Sequence, residues 1–192
     1  MGVPSPPSAT NRREAILDAA LELFRQRGFH SVGIDEIGTA AGISGPGVYR
    51  HFASKGALLV ALFDSITERM LVAAEEIQKA DCPPVEMLDR LVTAHVATAA
   101  EERALLAVWL QDWRSLPRSD EQRIRLRQLE LISIWVMALS RQRPELSPAE
   151  SETVVHAALG AVNSIAFHDS GLPAKELEAL LGQAARAVLS ST

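Results

Sequence analysis

Residues 42–55 read Gly42-Ile43-Ser44-Gly45-Pro46-Gly47-Val48-Tyr49-Arg50-His51-Phe52-Ala53-Ser54-Lys55, and they carry the clearest structural signal in the chain. This stretch combines turn-forming residues with an aromatic pair and basic side chains, and it follows a short alanine-rich segment of helical periodicity. A short helix, a tight glycine turn and a second helix with an exposed first turn form a helix-turn-helix, which places the second helix in the major groove of DNA. The stretch therefore predicts a DNA-reading head.

The start of the second helix, predicted over about 45–52, is suited to close approach. Ser44 is a good N-cap, and Pro46 fits the first turn because the N–H that proline lacks has no helical partner there. Gly45 and Gly47 have no side chains, which predicts that their main-chain N–H groups come near phosphates.

The other residues of this helix divide into an inward and an outward set. Val48 and Phe52 lie four residues apart and are predicted to face the core. Tyr49, Arg50 and His51 remain outside, and arginine is the best reader of guanine, through two hydrogen bonds to its major-groove edge. The alternatives are that Arg50 contacts a phosphate and that His51 caps or packs within the protein. The full predicted DNA-contacting set is Thr39, Ser44, Gly45, Pro46, Gly47, Tyr49, Arg50, His51 and Lys55.

Composition agrees with a protein that touches DNA only through this head. The 192 residues carry a formal charge of −5, and 47% of them are apolar. Residues 1–55 hold six Lys/Arg against five acids, whereas the remainder holds 13 against 19. An acidic body excludes a protein that coats nucleic acid over its whole surface. Cys82 is the only cysteine, which excludes an intrachain disulfide or a cysteine-based zinc site and fits a cytoplasmic location.

Helical periodicity continues through the chain without a convincing alternating strand, so we predict an all-α fold of about nine helices. Three domains are expected: a disordered Pro- and Ser-rich tail at 1–10, a DNA-binding domain at 11–55 with the helix-turn-helix at about 33–52, and a body at 56–192. No uninterrupted apolar run reaches the ~18 residues of a membrane span. The helices are predicted at about 11–27, 34–41, 45–52, 54–79, 85–101, a shorter one around 105–113, 120–142 capped by Ser119, 148–168 opened by a capping box at Ser147, and 174–190.

The head resembles the TetR/AcrR family of transcriptional regulators. The run Ala40-Ala41-Gly42-Ile43-Ser44, the run Val48-Tyr49-Arg50-His51-Phe52 and the pair Ser54-Lys55 are similar to the family signature. Upstream, Ala19-Ala20, Leu23-Phe24 and Arg27-Gly28-Phe29 match at the family spacing, so that the resemblance covers about the first third of the chain. Three positions depart from the pattern: Gly33 stands where Thr or Ser is common, Gly38 replaces a usual Ala and predicts a looser second helix, and Pro46 stands where Gly is frequent.

The resemblance implies a homodimer that binds a double-stranded DNA operator and releases it when a small effector binds the body. It also implies that the last two helices, about 148–168 and 174–190, pair with those of the partner. Apolar residues on two sides of each helix fit burial on two sides, although one thick monomer core is the alternative. The effector is expected to be largely apolar, with acyl or lipid-derived metabolites as one candidate class.

A ligand pocket should combine apolar walls with a few polar groups. His95, His156 and Asn163 are candidate polar groups, and the alternative for each is a structural residue held by hydrogen bonds. The predicted pocket lining is Phe63, Met70, Met87, His95, Trp109, Trp113, Trp135, His156, Asn163 and Phe167.

Catalysis is not expected from this sequence, and neither a metal nor a cofactor is predicted. Glu152 and His156 lie four residues apart, not the three of a di-iron helix pair. A G-x-S-x-G nucleophile motif is absent from the sequence. The remaining alternative to a DNA-binding regulator is a non-enzymatic all-α adaptor that binds only protein.

Overall fold

A computed structural model describes residues 9–167 and 169–191, with side chains from residue 11 onward. Over these ranges the chain forms nine α-helices and no strand. Short 3₁₀ turns lie at Phe29–Ser31, Trp113–Ser115 and Ser164–Ala166. The α-helices are α1 (Ala9–Arg27), α2 (Ile34–Ala40), α3 (Gly45–Tyr49), α4 (Lys55–Lys79), α5 (Pro84–Glu101), α6 (Arg103–Asp112), α7 (Arg118–Gln142), α8 (Pro148–Asn163) and α9 (Ala174–Ser190).

The predicted boundaries of α1, α7 and α8 need correction. Helix α1 begins at Ala9, so the last two residues of the predicted tail are helical, while residues 1–8 lie outside the described ranges. Helix α7 begins directly after Pro117, which is its N-cap, and the predicted cap Ser119 therefore lies inside the first turn. Helix α8 ends at Asn163 and not near 168, because the chain tightens into a 3₁₀ turn at Ser164.

The capping signal at the start of α8 is confirmed. The N–H of Glu150 donates to Ser147 Oγ at 3.3 Å, and the N–H of Ser147 donates to the Glu150 carboxylate at 2.8 Å. Two main-chain donors that the helix itself leaves unpaired are thereby satisfied. The Ser147 hydroxyl also donates to the Glu150 carboxylate at 2.6 Å, and this bond together with that from the Ser147 N–H lowers the pKa of Glu150 below its usual range.

Helix α4 joins the head to the body. Near its start it packs on α1, and along its length it packs on α5, α6 and α7. On α1, Ile16, Ala20 and Phe24 recur at helical spacing and are fully buried within the head. Trp135 of α7 is the largest side chain among the fully buried ones, and it lies at the centre of the body. Head and body thus form one continuous apolar core.

Helices α8 and α9 pack on each other and on α5 or α7, and each leaves a second face uncovered. On α8, Val155 and Val162 are buried, whereas His156 and Gly160 are exposed. On α9, Leu181 is buried and Leu180 is 54% exposed. The second apolar face of these helices therefore lies at the surface of the single chain.

Among the described helices, none is both long and apolar enough to cross a bilayer.

Candidate nucleic-acid interface and internal cavity

The turn between α2 and α3 is a Schellman motif centred on Gly42. Gly42 has a φ of 69°, its N–H donates to the Thr39 carbonyl at 3.1 Å, and the N–H of Ile43 donates to the Gly38 carbonyl at 2.8 Å. These two bonds satisfy carbonyl groups that the end of α2 leaves free, and Ile43 packs against the core. The predicted glycine turn is therefore present.

Replacing Gly42 by alanine should lower the free energy of unfolding by about 1–2 kcal/mol, because an L-residue is strained in the left-handed region. A Cβ at Gly42 would have no atom within 4 Å, so the expected loss comes from the backbone alone. Urea denaturation of the full chain measures it. Gly33→Ala is the matched control: with a φ of −96° it should change stability by about 0.5 kcal/mol or less. Equal effects of the two substitutions would contradict this account of the turn.

Gly38 brings α2 into close contact with the turn and does not loosen it. A Cβ at Gly38 would lie 3.0 Å from Gly45 N and 3.0 Å from the Ile43 carbonyl oxygen. At Gly45, a Cβ would lie 1.8 Å from the nearer carboxylate oxygen of Asp35. Both glycines therefore allow α2 and α3 to approach more closely than side chains would permit, which corrects the predicted looseness of the second helix.

Helix α3 and the turn at Arg50 and His51 together form the reading helix. Its α-helical part ends at Tyr49, earlier than predicted, because the N–H groups of Arg50 and His51 bond to carbonyls three residues back. Val48 and Phe52 are buried as predicted. Tyr49 is 56% exposed, Arg50 is exposed and His51 is half-buried.

Ser44 caps the reading helix as predicted, and its Oγ accepts the N–H of Gly47 at 3.3 Å. That N–H also bonds to the Ser44 carbonyl, and both Gly45 and Gly47 are buried. The Gly47 N–H is thus used within the protein, which argues against its predicted approach to a phosphate. Pro46 and Ser44 are exposed at the same end of the helix and present their side chains instead.

Lys55 has an internal role that the sequence did not predict. Its Nζ donates to the carbonyl oxygens of Phe29 and Val32, each at 2.8 Å, and it lies 4.4 Å from the centre of the Phe29 ring. A third carbonyl, that of His30, lies 3.5 Å from Nζ. These bonds occupy the three donors of the ammonium group, so Lys55 links the loop after α1 to the start of α4. For Lys55 to contact a DNA phosphate, at least one of these bonds would have to break.

The cations of the head differ in how far they are neutralised. Arg25 pairs with Glu22, and hydrogen bonds from Arg25 lower the pKa of Glu22 to about 2. Arg27 pairs with Glu36 at 2.6 Å. Arg50 has neither an ion pair nor a side-chain hydrogen bond with any residue that the structure describes. The guanidinium on the reading helix is therefore available to an outside partner.

Thr39 stands on the exposed face of α2. Its hydroxyl donates to the carbonyl of Asp35, four residues back, at 2.9 Å. The oxygen keeps its acceptor sites, and the side chain is exposed. A contact from Thr39 to DNA remains a prediction.

The body contains an internal cavity of about 90 Å³ between α4, α5, α6, α7 and α8. Met70, His95, Trp109 and Asn163 line it as predicted, and Trp135 lines an adjoining void of about 10 Å³ together with His95. The other lining residues are Ile66, Thr67, Leu106, Gln128, Leu131, Ile132 and Leu159. Thr67 and Gln128 were missed because nothing in their sequence surroundings marks them as inward polar residues.

Five predicted lining residues lie elsewhere. Phe63 and Met87 are buried in the core, and the Phe63 ring packs on Trp109 with centroids 4.7 Å apart. Trp113 begins a 3₁₀ turn at the end of α6. His156 is exposed on the outer face of α8, and Phe167 is 75% exposed. Helix α8 ends at Asn163, so the periodicity that predicted an inward Phe167 does not extend that far.

His95 is the polar centre of the cavity. Its Nε2 lies 3.2 Å from Asn163 Oδ1, and its ring meets Trp135 edge to face at 5.8 Å. Burial lowers the pKa of His95, which keeps the imidazole neutral near pH 7. Since an amide oxygen only accepts, the neutral ring donates from Nε2 to Asn163.

The head is bound to the body at the end of α6. The N–H of Phe29 donates to Asp112 Oδ2 at 3.0 Å, and Asp112 is 7% exposed. Beside this bond, Ser115 Oγ lies 2.9 Å from His30 Nε2. Helix α6 also lines the cavity through Leu106 and Trp109, so one helix contacts both the cavity and the loop beneath the head.

A larger space of about 760 Å³ is an open cleft between the head and α7. Ion pairs cross its walls: Arg123 binds Asp64 at 2.5 Å and Arg127 binds Glu68 at 2.6 Å. Hydrogen bonds to the carboxylates of Asp64 and Asp120 raise the pKa of Arg123. Because the cleft is open to solvent and its Arg123 and Arg127 are already paired within the chain, the smaller internal cavity is the better candidate for a ligand site.

Known proteins resemble the chain over both parts. A model of bacterial regulatory proteins of the tetR family matches residues 16–62, and a model of tetracyclin repressor-like C-terminal domains matches residues 81–187. The HTH-type transcriptional regulator BetI of Rhizobium meliloti is 30% identical over 112 residues, which cover 58% of this chain and 55% of that protein. The HTH-type transcriptional activator FasR of Mycolicibacterium smegmatis is 42% identical over 60 residues, covering 31% of this chain and 27% of FasR. The chain thus spans about half or less of the relatives it matches.

Solved structures extend the likeness of fold to nearly the whole chain. A TetR-family regulator from Bordetella parapertussis has a TM-score of 0.85 at 21% identity, covering 94% of this chain and 95% of that one. AibR, solved in complex with isovaleryl coenzyme A and operator DNA, has a TM-score of 0.76 at 20% identity, covering 90% and 97%. Because the family models match the reading head and most of the helical body, the chain belongs to the TetR family of bacterial regulatory proteins.

Proposed function

We propose that this chain is a homodimeric transcriptional repressor, released from a near-palindromic operator when a small, largely apolar effector enters the internal cavity. The observation that carries the proposal is the exposed Arg50 on a reading helix fixed by the Gly42 turn, with no partner among the described residues. An exposed arginine beside an exposed tyrosine suits base and phosphate contacts in the major groove.

Dimerisation is proposed through the uncovered faces of α8 and α9. The exposed residues include His156, Ala157 and Gly160 on α8 and Leu180 and Ala184 on α9. A Cβ at Gly160 would meet no atom within 4 Å, so the packing of the single chain does not explain this glycine. Glycine inside a helix costs about 1 kcal/mol relative to alanine, and close approach of a partner helix would account for it.

Release of DNA is proposed to run through α6. An effector in the cavity contacts Leu106 and Trp109, and the end of the same helix holds the loop after α1 through Asp112. A small shift of α6 would therefore move the heads relative to each other and change the spacing of the two reading helices. Effector and operator then weaken each other's binding by the same factor.

Acyl and lipid-derived metabolites are one candidate class of effector. Most of the cavity wall is apolar, which suits an aliphatic group. AibR, which has a similar fold, was solved with isovaleryl coenzyme A. This likeness supports the class without fixing the molecule.

Asp112→Ala should weaken the joint between head and body. The Phe29 N–H would lose its buried acceptor, which should lower the free energy of unfolding by about 1–3 kcal/mol and speed amide exchange in residues 28–32. Urea denaturation and hydrogen exchange by mass spectrometry measure these effects. In the control Asp89→Ala, an exposed pair with Arg186 is lost, and about 1 kcal/mol or less is expected. Unchanged exchange in residues 28–32 would rule out the proposed joint.

Selection from random double-stranded DNA by the purified full chain tests the function directly. We expect enrichment of an inverted repeat whose half-sites lie about 10 base pairs apart or a multiple of that spacing, as two reading helices require. Enrichment of no sequence at all would favour the protein-binding adaptor. Enrichment of a single asymmetric half-site would contradict the dimer.

A further inference from the structure

The cavity lacks any charged lining group among the described residues. Its polar lining residues are Thr67, His95, Gln128 and Asn163, all neutral, since burial of His95 disfavours the imidazolium. Placing an unpaired carboxylate or ammonium here would require desolvation with no opposite charge to compensate for it. The buried part of the effector must therefore be uncharged.

Some hydrogen-bonding capacity in the cavity is already used within the protein. The Thr67 hydroxyl donates to the Phe63 carbonyl at 2.8 Å, and His95 Nε2 is paired with Asn163 Oδ1. The bond to His95 fixes the orientation of the Asn163 amide, because the amide oxygen faces the imidazole donor. The side-chain NH₂ group of Asn163 and the amide of Gln128 have no protein partner in the described chain.

His95 adds an acceptor to these amides. Neutral His95 donates from Nε2, so its Nδ1 is a bare acceptor, and no described residue donates to it. The described side chains contain no fully buried nitrogen or oxygen atom without a partner, so Nδ1 must open onto a cavity that His95 lines. The lining thus carries a donor on Asn163 and an acceptor on His95, and the acceptor lies on the side of the imidazole ring away from Asn163.

Volume limits the group that can enter. An engineered protein cavity of about 150 Å³ takes up benzene, which has about six non-hydrogen atoms. By that standard 90 Å³ accommodates an amide or hydroxyl group with one or two carbons, and any longer body of the effector must extend toward the opening. Five lining residues are half-buried, namely Met70, Trp109, Gln128, Ile132 and Asn163, whereas the other six are buried.

We propose that the cavity recognises the uncharged polar end of a short aliphatic molecule, a primary amide or an alcohol, through the NH₂ group of Asn163. This inference rests on the proposed function, because it names the class of effector for the same site. The carbonyl of a primary amide accepts from Asn163, and its N–H can donate to an unpaired acceptor of the neutral lining. A carboxylate offers no donor, and an ammonium offers no acceptor.

Three probes of similar size test the proposal on the full-length chain: propionamide, propionate and propylamine at pH 7.5. Titrations followed by the side-chain amide and indole signals in ¹H–¹⁵N NMR spectra should show saturable, millimolar binding of propionamide. Propionate and propylamine should bind at least about tenfold more weakly. Equal binding of propionate and propionamide would overturn the proposal, and so would the absence of saturable shifts with any of the three.

Two variants and one control locate the site. Asn163→Asp keeps the shape but removes the NH₂ donor, and it should weaken propionamide binding at least about tenfold. Gln128→Leu, at a half-exposed position on α7 that should tolerate the change, gives a second test and should weaken binding severalfold. His156→Ala removes an exposed histidine on α8 and should leave binding unchanged. Full propionamide affinity in both Asn163→Asp and Gln128→Leu would contradict the assignment.

DNA binding by the same preparation distinguishes failure of the ligand class from failure of the proposed function. If none of the probes binds but operator binding is intact and salt-sensitive, the proposed ligand class is wrong and the proposed DNA-binding regulator is unaffected. Probe binding by a protein that does not bind DNA supports the cavity assignment and contradicts the proposed function.

Discussion

Arg50→Ala is expected to weaken operator binding about 100-fold or more. Each bidentate contact between an arginine and guanine contributes about 1–3 kcal/mol of discrimination, and a dimer loses two of them. The fold should be unaffected, because Arg50 is exposed and has no side-chain bond to the described protein. Fluorescence anisotropy with the selected operator and with a scrambled duplex measures the change.

The salt dependence of this variant separates the two roles open to Arg50. If Arg50 reads a base, the loss is confined to the operator and the slope of affinity against salt is nearly kept. If it holds a phosphate, all sequences lose affinity and the slope falls by about one for each head. Arg90→Ala, which removes an exposed cation from α5, is the control and should leave operator affinity intact. Undiminished operator binding by Arg50→Ala would favour the adaptor and contradict the proposed reading helix.

Gly160→Glu is expected to produce a monomer and thereby weaken operator binding about 100-fold or more. In a dimer, binding of one head holds the other close to its half-site, and a monomer loses this effect. In the single chain the new side chain meets no neighbour, and glutamate favours a helix more than glycine does. The free energy of unfolding of the monomer should therefore not fall. Light scattering after size-exclusion chromatography reports the mass.

The control for this variant is Ala97→Glu, which adds the same charge to an exposed position on α5. It should remain a dimer and bind operator normally. A dimeric Gly160→Glu with full operator affinity would show that α8 does not form the interface.

Local features of the head could be predicted from the sequence. The Gly42 turn, the Ser44 cap and the inward positions of Val48 and Phe52 depend on residues within five positions of one another, where spacing and backbone preference decide the outcome. The core stripe of α1 followed from periodicity for the same reason.

Contacts between distant residues could not be predicted in this way. Lys55 bonds to carbonyls 23–26 residues away, and Asp112 accepts an N–H from a residue 83 positions earlier. A lysine at the start of one helix and an aspartate at the end of another look like ordinary surface residues in sequence. Their roles appear only when α1, α4 and α6 are packed together.

The cavity lies between these two cases. Periodicity identified His95 and Asn163 because each interrupts an apolar stripe. It failed for His156 and Phe167, since the outer face of α8 is itself rich in small and apolar residues and the helix ends at Asn163. Sequence alone does not distinguish an apolar helix face that is buried in the core from one that is exposed on the single chain and available to a partner subunit.

Binding to the DNA upstream of its own gene tests most directly whether the chain is a sequence-specific DNA-binding regulator. Purified full-length protein should bind that duplex, and the logarithm of the affinity should fall linearly with that of the salt concentration. An unrelated duplex of equal length should bind at least about 1,000-fold more weakly at physiological salt. Equal affinity for the two duplexes, or no salt-sensitive binding to either, would contradict the conclusion that this chain is a DNA-reading regulator.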